Sequence, residues 1–231
     1  MSVTFEIRAM TDITIRAAEA SEIQTVSDFI CTHFNDQEPI QIFHVRKGEE
    51  MDPPPADLLK ECVESQTLML ALVGEKIVGV VIAGEITSEV SDQDLAYTKD
   101  FGPKGVDVFE FLSFISEKAD LCTRMAVPRS LHIHILSVHL DYLRQGIAKK
   151  LFDSCMENGK VKHFPAISVD CTSFYTSKIA ETFGLSCVST VTYDEYNKHV
   201  GKILFKPVDP HKEINTYAML YDNNCNNQTD N

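Results

Sequence analysis

The segment that decides the fold runs from a strand through a glycine turn into a helix, and it reads Leu136-Ser137-Val138-His139-Leu140-Asp141-Tyr142-Leu143-Arg144-Gln145-Gly146-Ile147-Ala148-Lys149-Lys150-Leu151. Residues 131–138 have the pattern of a strand, and residues 146–158 repeat apolar side chains at helical spacing. Consecutive N–H groups in such a turn, with the positive end of the helix dipole, form a site for a diphosphate. The residues alone leave a second interpretation open, an ordinary turn whose glycine begins a helix.

Strand and helix patterns alternate along the rest of the chain. The predicted strands are residues 13–17, 68–73, 76–86, 131–138, 167–171, 187–193 and 202–205. The predicted helices are residues 23–34, 58–63, 109–121, 146–158 and 174–183. An antiparallel hairpin followed by βαβ units predicts an α/β fold with a central mixed sheet of about seven strands flanked by helices. We expect one domain over residues 1–221 and a flexible tail over residues 222–231.

Composition excludes several classes of protein. The chain has 231 residues, with 21 Lys and Arg against 34 Asp and Glu, so its net charge of −13 argues against a nucleic-acid partner and favours a cationic ligand. No apolar run approaches the roughly 18 residues of a membrane span, and the N-terminus lacks the pattern of a signal peptide. Seven scattered cysteines without a Cys-x-x-Cys pair indicate reduced thiols and no metal site. We therefore expect a cytoplasmic protein without a membrane partner.

Residues 143–148 resemble the acetyl-CoA loop of the GNAT superfamily of N-acetyltransferases. That loop reads Arg or Gln, two residues, Gly, one residue, then Gly or Ala; Gly146 and Ala148 match, and Leu143 departs from it. The resemblance implies acetyl-CoA as co-substrate, bound mainly by backbone N–H groups of the loop. The residues concerned are Leu143, Arg144, Gln145, Gly146, Ile147 and Ala148.

The same resemblance assigns a role to the end of the preceding strand. Leu136, Ser137 and Val138 would form a bulged strand end that pairs with the pantetheine arm, with the next strand splayed away to open the acetyl-CoA cleft. A backbone N–H near Val138 would stabilise the developing oxyanion.

Two further segments are similar to insect-type arylalkylamine N-acetyltransferases. Asn35-Asp36-Gln37-Glu38-Pro39-Ile40 resembles their acidic-Glu-Pro-Leu segment, which implies that Glu38 is the general base. Residues 171–176 resemble the segment in which two hydroxyls four residues apart line the acetyl pocket, and Thr172 and Thr176 hold those places. Ser173 or Thr176 would stabilise the departing thiolate.

The vertebrate branch of those enzymes offers another base. Residues 131–139 resemble its segment with paired histidines that relay a proton, and His132 and His134, two apart on a strand, face the same side. The tyrosine that protonates the thiolate in that branch is replaced here by Ala180. Glu38 and the histidine pair therefore stay open as alternatives for the base.

The chemistry explains why a base is needed. An alkylamine resembles lysine, with a pKa of ~10.4, so it must lose a proton before it attacks a thioester. We therefore expect an acetyl-CoA-dependent N-acetyltransferase of arylalkylamines such as serotonin, dopamine, tyramine or octopamine. One alternative is an enzyme for polyamines or other small amines, whose cleft would need several carboxylates instead of aromatic walls beside one acid. Another is an acyl-CoA-binding module that has lost catalysis.

Overall fold

The computed structural model describes residues 12–88 and 101–221, and the predicted tail over residues 222–231 lies outside these ranges. The strands are β1 Thr14–Ala17, β2 Leu68–Val73, β3 Lys76–Thr87, β4 Arg129–Val138, β5 Ala166–Cys171, β6 Ser186–Thr192 and β7 Glu213–Leu220. They form one mixed sheet in the order β1-β2-β3-β4-β5-β7-β6, with β4 and β5 parallel. The predicted mixed sheet of about seven strands is confirmed.

Helices cover both faces of this sheet. They are α1 Ile23–His33, α2 Pro39–Phe43, α3 Ala56–Glu64, α4 Pro103–Ala119, α5 Leu121–Met125, α6 Ile147–Val161, α7 Phe174–Thr182 and α8 Tyr193–His199. Within the described ranges, no helix combines the length and apolarity needed to cross a membrane.

Three apolar clusters hold these layers together. One lies between the sheet and α6, where Leu151, Phe152 and Val169 are almost fully buried. On the opposite face, a second cluster lies under α1 and α3, and a third joins α2, α4 and α8 around Phe111. Burying one large apolar side chain contributes about 1.5–3 kcal/mol, so these clusters fix the helices against the sheet.

Gly79 on β3 brings the start of α6 close to the sheet. A Cβ at this position would lie 3.0 Å from the side chains of Ile147 and Leu151 and 3.1 Å from the carbonyl oxygen of Ser137. Since glycine has no Cβ, the first turn of α6 packs directly against the strands. The turn before α6 is therefore held against the end of β4.

Strands β4 and β5 separate part of the way along their length. They pair only where residues 131–133 of β4 face residues 167–169 of β5. On the other side of β4, Ile133 and Ile135 face Ala83 and Ile82, so His134 is an extra residue in the ladder, a β-bulge. The predicted splay is confirmed, but the bulge lies at His134 and not at residues 136–138, which stay in regular register with β3.

The predicted last strand, residues 202–205, is wrong. Strand β6 ends at Thr192 because the Thr192 hydroxyl accepts a hydrogen bond from the N–H of Glu195 at 3.0 Å and caps α8, a helix that the sequence pattern did not predict. Residues 202–205 then form a connection, in which Phe205 makes a single bridge to His44. The seventh strand is β7, which lies between β5 and β6.

Candidate active site

The turn before α6 presents a row of backbone N–H groups. Arg144 and Gly146 both adopt left-handed backbone conformations, with φ of 61° and 77°. Across the described ranges, no residue accepts a hydrogen bond from the N–H groups of residues 144–148. Successive N–H groups in such a turn, at a helix N-terminus, form a concave site for an anion. This geometry fits a diphosphate.

The side chains of this turn contribute less than its backbone. Leu143 and Arg144 are exposed, and Ile147 is buried in the core below Gly79. The Gln145 amide lies 3.5 Å from the carbonyl oxygen of Asp141, and Ala148 is half-buried in the first turn of α6. The turn therefore binds through its main chain, and the side chain of Leu143 does not contribute to binding.

The end of β4 turns a second set of backbone groups toward the gap beside β5. The N–H of His139 donates to the carbonyl oxygen of Val78 in β3 at 2.9 Å. Because N–H groups alternate along a strand, the N–H of Val138 points to the opposite edge, where β5 has moved away. Leu136 and Val138 pack partly against the α6 cluster, and Ser137 is buried between them.

Glu38 lies at the start of α2, against the end of β5. Pro39 occupies the first helical position, which suits its missing N–H, and the Glu38 carboxylate accepts a hydrogen bond from the N–H of Ile40 at 3.3 Å. Burial raises the pKa of Glu38 to about 7, although hydrogen bonds from Thr172 and Ile40 act in the opposite direction. A carboxyl group with this pKa is able to take and release a proton near neutral pH.

The three hydroxyl residues after β5 differ in what they do. The Thr172 hydroxyl contacts the carboxyl group of Glu38. The Ser173 hydroxyl accepts a hydrogen bond from the N–H of Tyr175 at 3.1 Å and so caps α7. Thr176 lies half-buried in the first turn of α7, four residues after Thr172. Thr172 is thus beside the candidate base, whereas Ser173 serves the helix.

The two histidines of β4 lie side by side, with ring centroids 5.1 Å apart. The Nδ1 of His132 is 3.0 Å from the Ser168 hydroxyl, and its Nε2 is 3.5 Å from the Asp170 carboxylate. Burial lowers the pKa of His132 to about 4, so this ring is neutral at pH 7. His134 is exposed, and its ring occupies the space that a side chain at position 84 would need.

His132 belongs to a polar network that continues along β5. Thr216 donates a hydrogen bond of 2.6 Å to the Asp170 carboxyl group, whose pKa is raised by burial. Ser168, Asp170 and Thr172 alternate along β5 and therefore share one face of the sheet. Thr172 in turn contacts Glu38, so this row of side chains leads from His132 to the candidate base.

A set of aromatic rings in mutual contact runs from Tyr193, which lies near Glu38, to the start of α7. We call this set the aromatic wall; its members are Phe43, Phe174, Tyr175, Tyr193 and His211. Phe43 lies 5.9 Å from Tyr193 and 6.1 Å from His211, and Tyr175 lies 6.0 Å from His211. His211 accepts a hydrogen bond from the N–H of Phe174 at 3.2 Å.

The sequence did not identify the members of this wall. Of the other aromatic residues, Phe111 is in the core and Tyr142 lies beside His139 near the glycine turn. Tyr193 was predicted as the last residue of a strand. No local signal distinguishes Tyr193, since its position depends on how α8 packs against α2.

A wide cavity of about 1290 Å³ lies behind the segment that carries Glu38, between α1 and residues 47–57. Six carboxylates line it: Asp28, Asp36, Glu49, Glu50, Asp52 and Asp57. Two of the six form ion pairs, Glu49 with Arg46 and Asp57 with Lys60. Asp52 accepts a hydrogen bond from the N–H of Gly102, which leaves its charge unneutralised. Glu38 does not line this cavity.

Comparison with known proteins identifies the fold and the enzymes that this chain resembles. No family model matches the sequence. The solved structure of a mosquito arylalkylamine N-acetyltransferase-like protein, 5b, is 29% identical, covers 91% of this chain and 100% of its own, and has a TM-score of 0.82. A polyamine N-acetyltransferase of Drosophila melanogaster and an agmatine N-acetyltransferase are each 26% identical with the same coverage, and their TM-scores are 0.78 and 0.79. Since the splayed sheet and the N–H groups before α6 agree with these likenesses, the chain has the GNAT fold and is an acyltransferase enzyme that resembles the insect arylalkylamine N-acetyltransferases.

Proposed function

We propose that the protein transfers an acetyl group from acetyl-CoA to the primary amine of an arylalkylamine, with Glu38 as the general base. The observation that carries this proposal is the position of Glu38. Its half-buried carboxyl group lies at the end of β5 near Tyr193 of the aromatic wall, and desolvation raises its pKa to about 7.

Two features support acetyl-CoA as the donor. The unpaired N–H groups of residues 144–148 suit the diphosphate, and Gly146 leaves open space where a Cβ would otherwise project. The gap between β4 and β5 suits the extended pantetheine arm, which would pair with the free edge of β4. The acetyl group would then lie near the N–H of Val138 and within reach of Glu38.

The pKa shifts favour Glu38 over the histidine pair as the base. Near neutral pH, Glu38 exists in both protonation states, so it is able to accept the amine proton. The pKa of His132 is lowered to about 4, which makes that ring a poor proton acceptor in the same pH range. His132 instead orients Asp170 and Ser168, and we assign His134 no part in the transfer step.

The proposed reaction balances through these residues. Glu38 accepts one proton from the substrate ammonium and passes it through Thr172 to solvent, and the neutral amine attacks the thioester carbonyl carbon. The N–H of Val138 stabilises the negative charge that develops on the carbonyl oxygen. Glu38, ionised again, accepts the second proton from the nitrogen as the carbon–sulfur bond breaks. The thiolate takes a proton from the hydroxyl of Thr176, which regains one from solvent, so the net products are the amide, CoA and one proton.

The walls of the site favour an aromatic amine over a polyamine. Phe174 and Tyr175 are exposed large aromatics at the start of α7, and Thr172, two residues before Phe174, is the hydrogen-bond partner of Glu38. The structural likeness to agmatine and polyamine enzymes and the acidic cavity behind Glu38 favour the second candidate, a cationic aliphatic amine. However, Glu38 does not line that cavity, so its negative charge lies away from the proposed base.

A substrate panel tests the proposal. The purified protein is incubated with acetyl-CoA and with tyramine, serotonin, dopamine, agmatine or spermidine, and CoA release is followed. We expect kcat/KM to be about 2- to 12-fold higher for the aromatic amines, since an aromatic contact is worth about 0.5–1.5 kcal/mol. A reversed order would favour the polyamine candidate. Binding of CoA without turnover of any amine would show a module that has lost catalysis.

A further inference from the structure

The hydroxyl group of Tyr193 is buried without a partner. Tyr193 is fully buried at the start of α8, and its hydroxyl oxygen has no hydrogen-bond partner in the parts of the chain that the structure describes. Buried hydroxyl groups in native proteins are almost always satisfied, so an unsatisfied one needs an explanation. A group that binds during the reaction would supply the missing partner.

The surroundings of Tyr193 indicate where that partner belongs. Its ring is enclosed by Phe43 at 5.9 Å, Phe111 at 5.4 Å and Phe205 at 5.6 Å, so these contacts offer no polar atom. The polar group that faces it is the carboxyl of Glu38. Burial raises the pKa of Tyr193, and the negative charge of Glu38 raises it further. The phenol is therefore neutral, and it lies near Glu38 but beyond hydrogen-bond distance.

We propose that the Tyr193 hydroxyl is a second binding contact for the reacting amine nitrogen, which sits between it and the Glu38 carboxylate. A primary ammonium group has three N–H donors: Glu38 accepts one, and the phenol oxygen accepts another. Two acceptors fix the direction of the nitrogen, so its lone pair points to the carbonyl carbon once Glu38 has taken the proton. This inference rests on the proposed amine acetylation.

The variant Tyr193→Phe tests this contact, because it removes one oxygen atom and keeps the ring. We expect kcat/KM for tyramine to fall about 10- to 100-fold, the range for a hydrogen bond to a charged group. The KM for acetyl-CoA should stay unchanged. Tyramine binding to the CoA-saturated protein, measured by calorimetry, should weaken in parallel.

Tyr196→Phe is the matched control, since Tyr196 is also buried in α8 and stacks on Phe111, but its hydroxyl faces Asp107 and Glu110. That variant should keep the kcat/KM of the wild type. Thermal unfolding separates binding from structure: Tyr193→Phe should leave Tm unchanged or raised, because it removes an unsatisfied buried hydroxyl.

Two results would overturn the contact. One is an active wild type with equal kcat/KM and equal tyramine binding for Tyr193→Phe. The other is a fall in Tm that accounts for the loss of activity. Failure of the proposed function has a different signature, since the wild type itself would then release no CoA with any amine while still binding CoA.

Discussion

At position 38, one carboxyl group is expected to set both the rate and its pH dependence. Glu38→Gln keeps the size of the side chain and its contact with the N–H of Ile40 but removes the proton acceptor. We expect kcat to fall about 100-fold or more, the usual contribution of a general base. In the wild type, kcat/KM should rise with pH through about 7, because only ionised Glu38 accepts the proton.

Steady-state rates between pH 5.5 and 9 measure this effect. Asp36→Asn is the control, since Asp36 is an exposed acid two residues away and lies outside the site. The Glu38→Gln variant should lose the rise near pH 7, and its CoA affinity should not change. If the pH profile of Glu38→Gln were the same as that of the wild type, another residue would be the general base.

The same carboxyl group should make stability depend on pH. Its pKa is about 7 in the folded protein and 4.5 as the reference value, so between these values the folded state binds the extra proton. This proton contributes on the order of 3 kcal/mol to the free energy of unfolding. The contribution is complete below pH 4.5 and is lost as the pH rises through 7. Relative to the wild type, Glu38→Gln should therefore gain stability from pH 5 to pH 8.

Denaturant unfolding at the two pH values, with equal slopes required, tests this prediction. A difference between wild type and variant that is the same at pH 5 and pH 8 would contradict it, because burial would then not penalise the charged form.

Individual site residues were predictable only where a local pattern marks them. Glu38 stands before Pro39 in a segment with a recognisable resemblance, and its place in the structure suits the proposed role. No local pattern marks Tyr193, because its proposed role depends on the contact that its ring makes with Phe43 of α2 across the core. The low pKa of His132 was also unpredictable, since the burial that lowers it arises only when β4 and β5 come together.

The turn that begins α6 yields a prediction for a whole element. Gly146→Ala places a methyl group in open space at a φ of 77°, where an L-residue costs about 1 kcal/mol. We expect the methyl group to hold the diphosphate away from the N–H groups and to weaken CoA binding about 10-fold, roughly one charge-assisted hydrogen bond.

Gly184→Ala is matched in strain, because Gly184 has a φ of 81° and open space, but it follows the far end of α7. Both variants should lose similar stability in denaturant, and only Gly146→Ala should weaken CoA binding in calorimetry. Equal CoA affinity in the two variants would mean that the turn does not hold the diphosphate.

Helices and strands were predicted well where one spacing of apolar residues extends along the whole element. After β6 they were predicted poorly. The apolar spacing of α1 and α6 gave bounds close to those observed. Residues 202–205 have an apolar composition like that of a strand, but the carbonyl oxygen of Leu204 accepts from the N–H of Val45, just after α2, and other backbone groups bond the side chain of Asn197. The final strand β7 inserts between β5 and β6, an order that no local pattern contains.

For the whole molecule, the net charge of −13 acts on two substrates of opposite sign. The field attracts an ammonium ion to the site and repels the phosphates of acetyl-CoA. Salt screens both effects, since the Debye length falls from about 30 Å at 0.01 M to about 10 Å at 0.1 M. We expect kcat/KM for tyramine to fall about threefold or more between these salt concentrations.

Over the same range, the KM for acetyl-CoA should fall, because screening relieves its repulsion. Initial rates in sodium chloride at constant pH measure both quantities, and a neutral osmolyte at equal osmolarity is the control. If kcat/KM fell for both tyramine and acetyl-CoA, or rose for both, salt would be acting on the stability of the fold or on the chemical step. Opposite shifts require that the cation and the anionic thioester approach one acidic protein, as the proposed reaction demands.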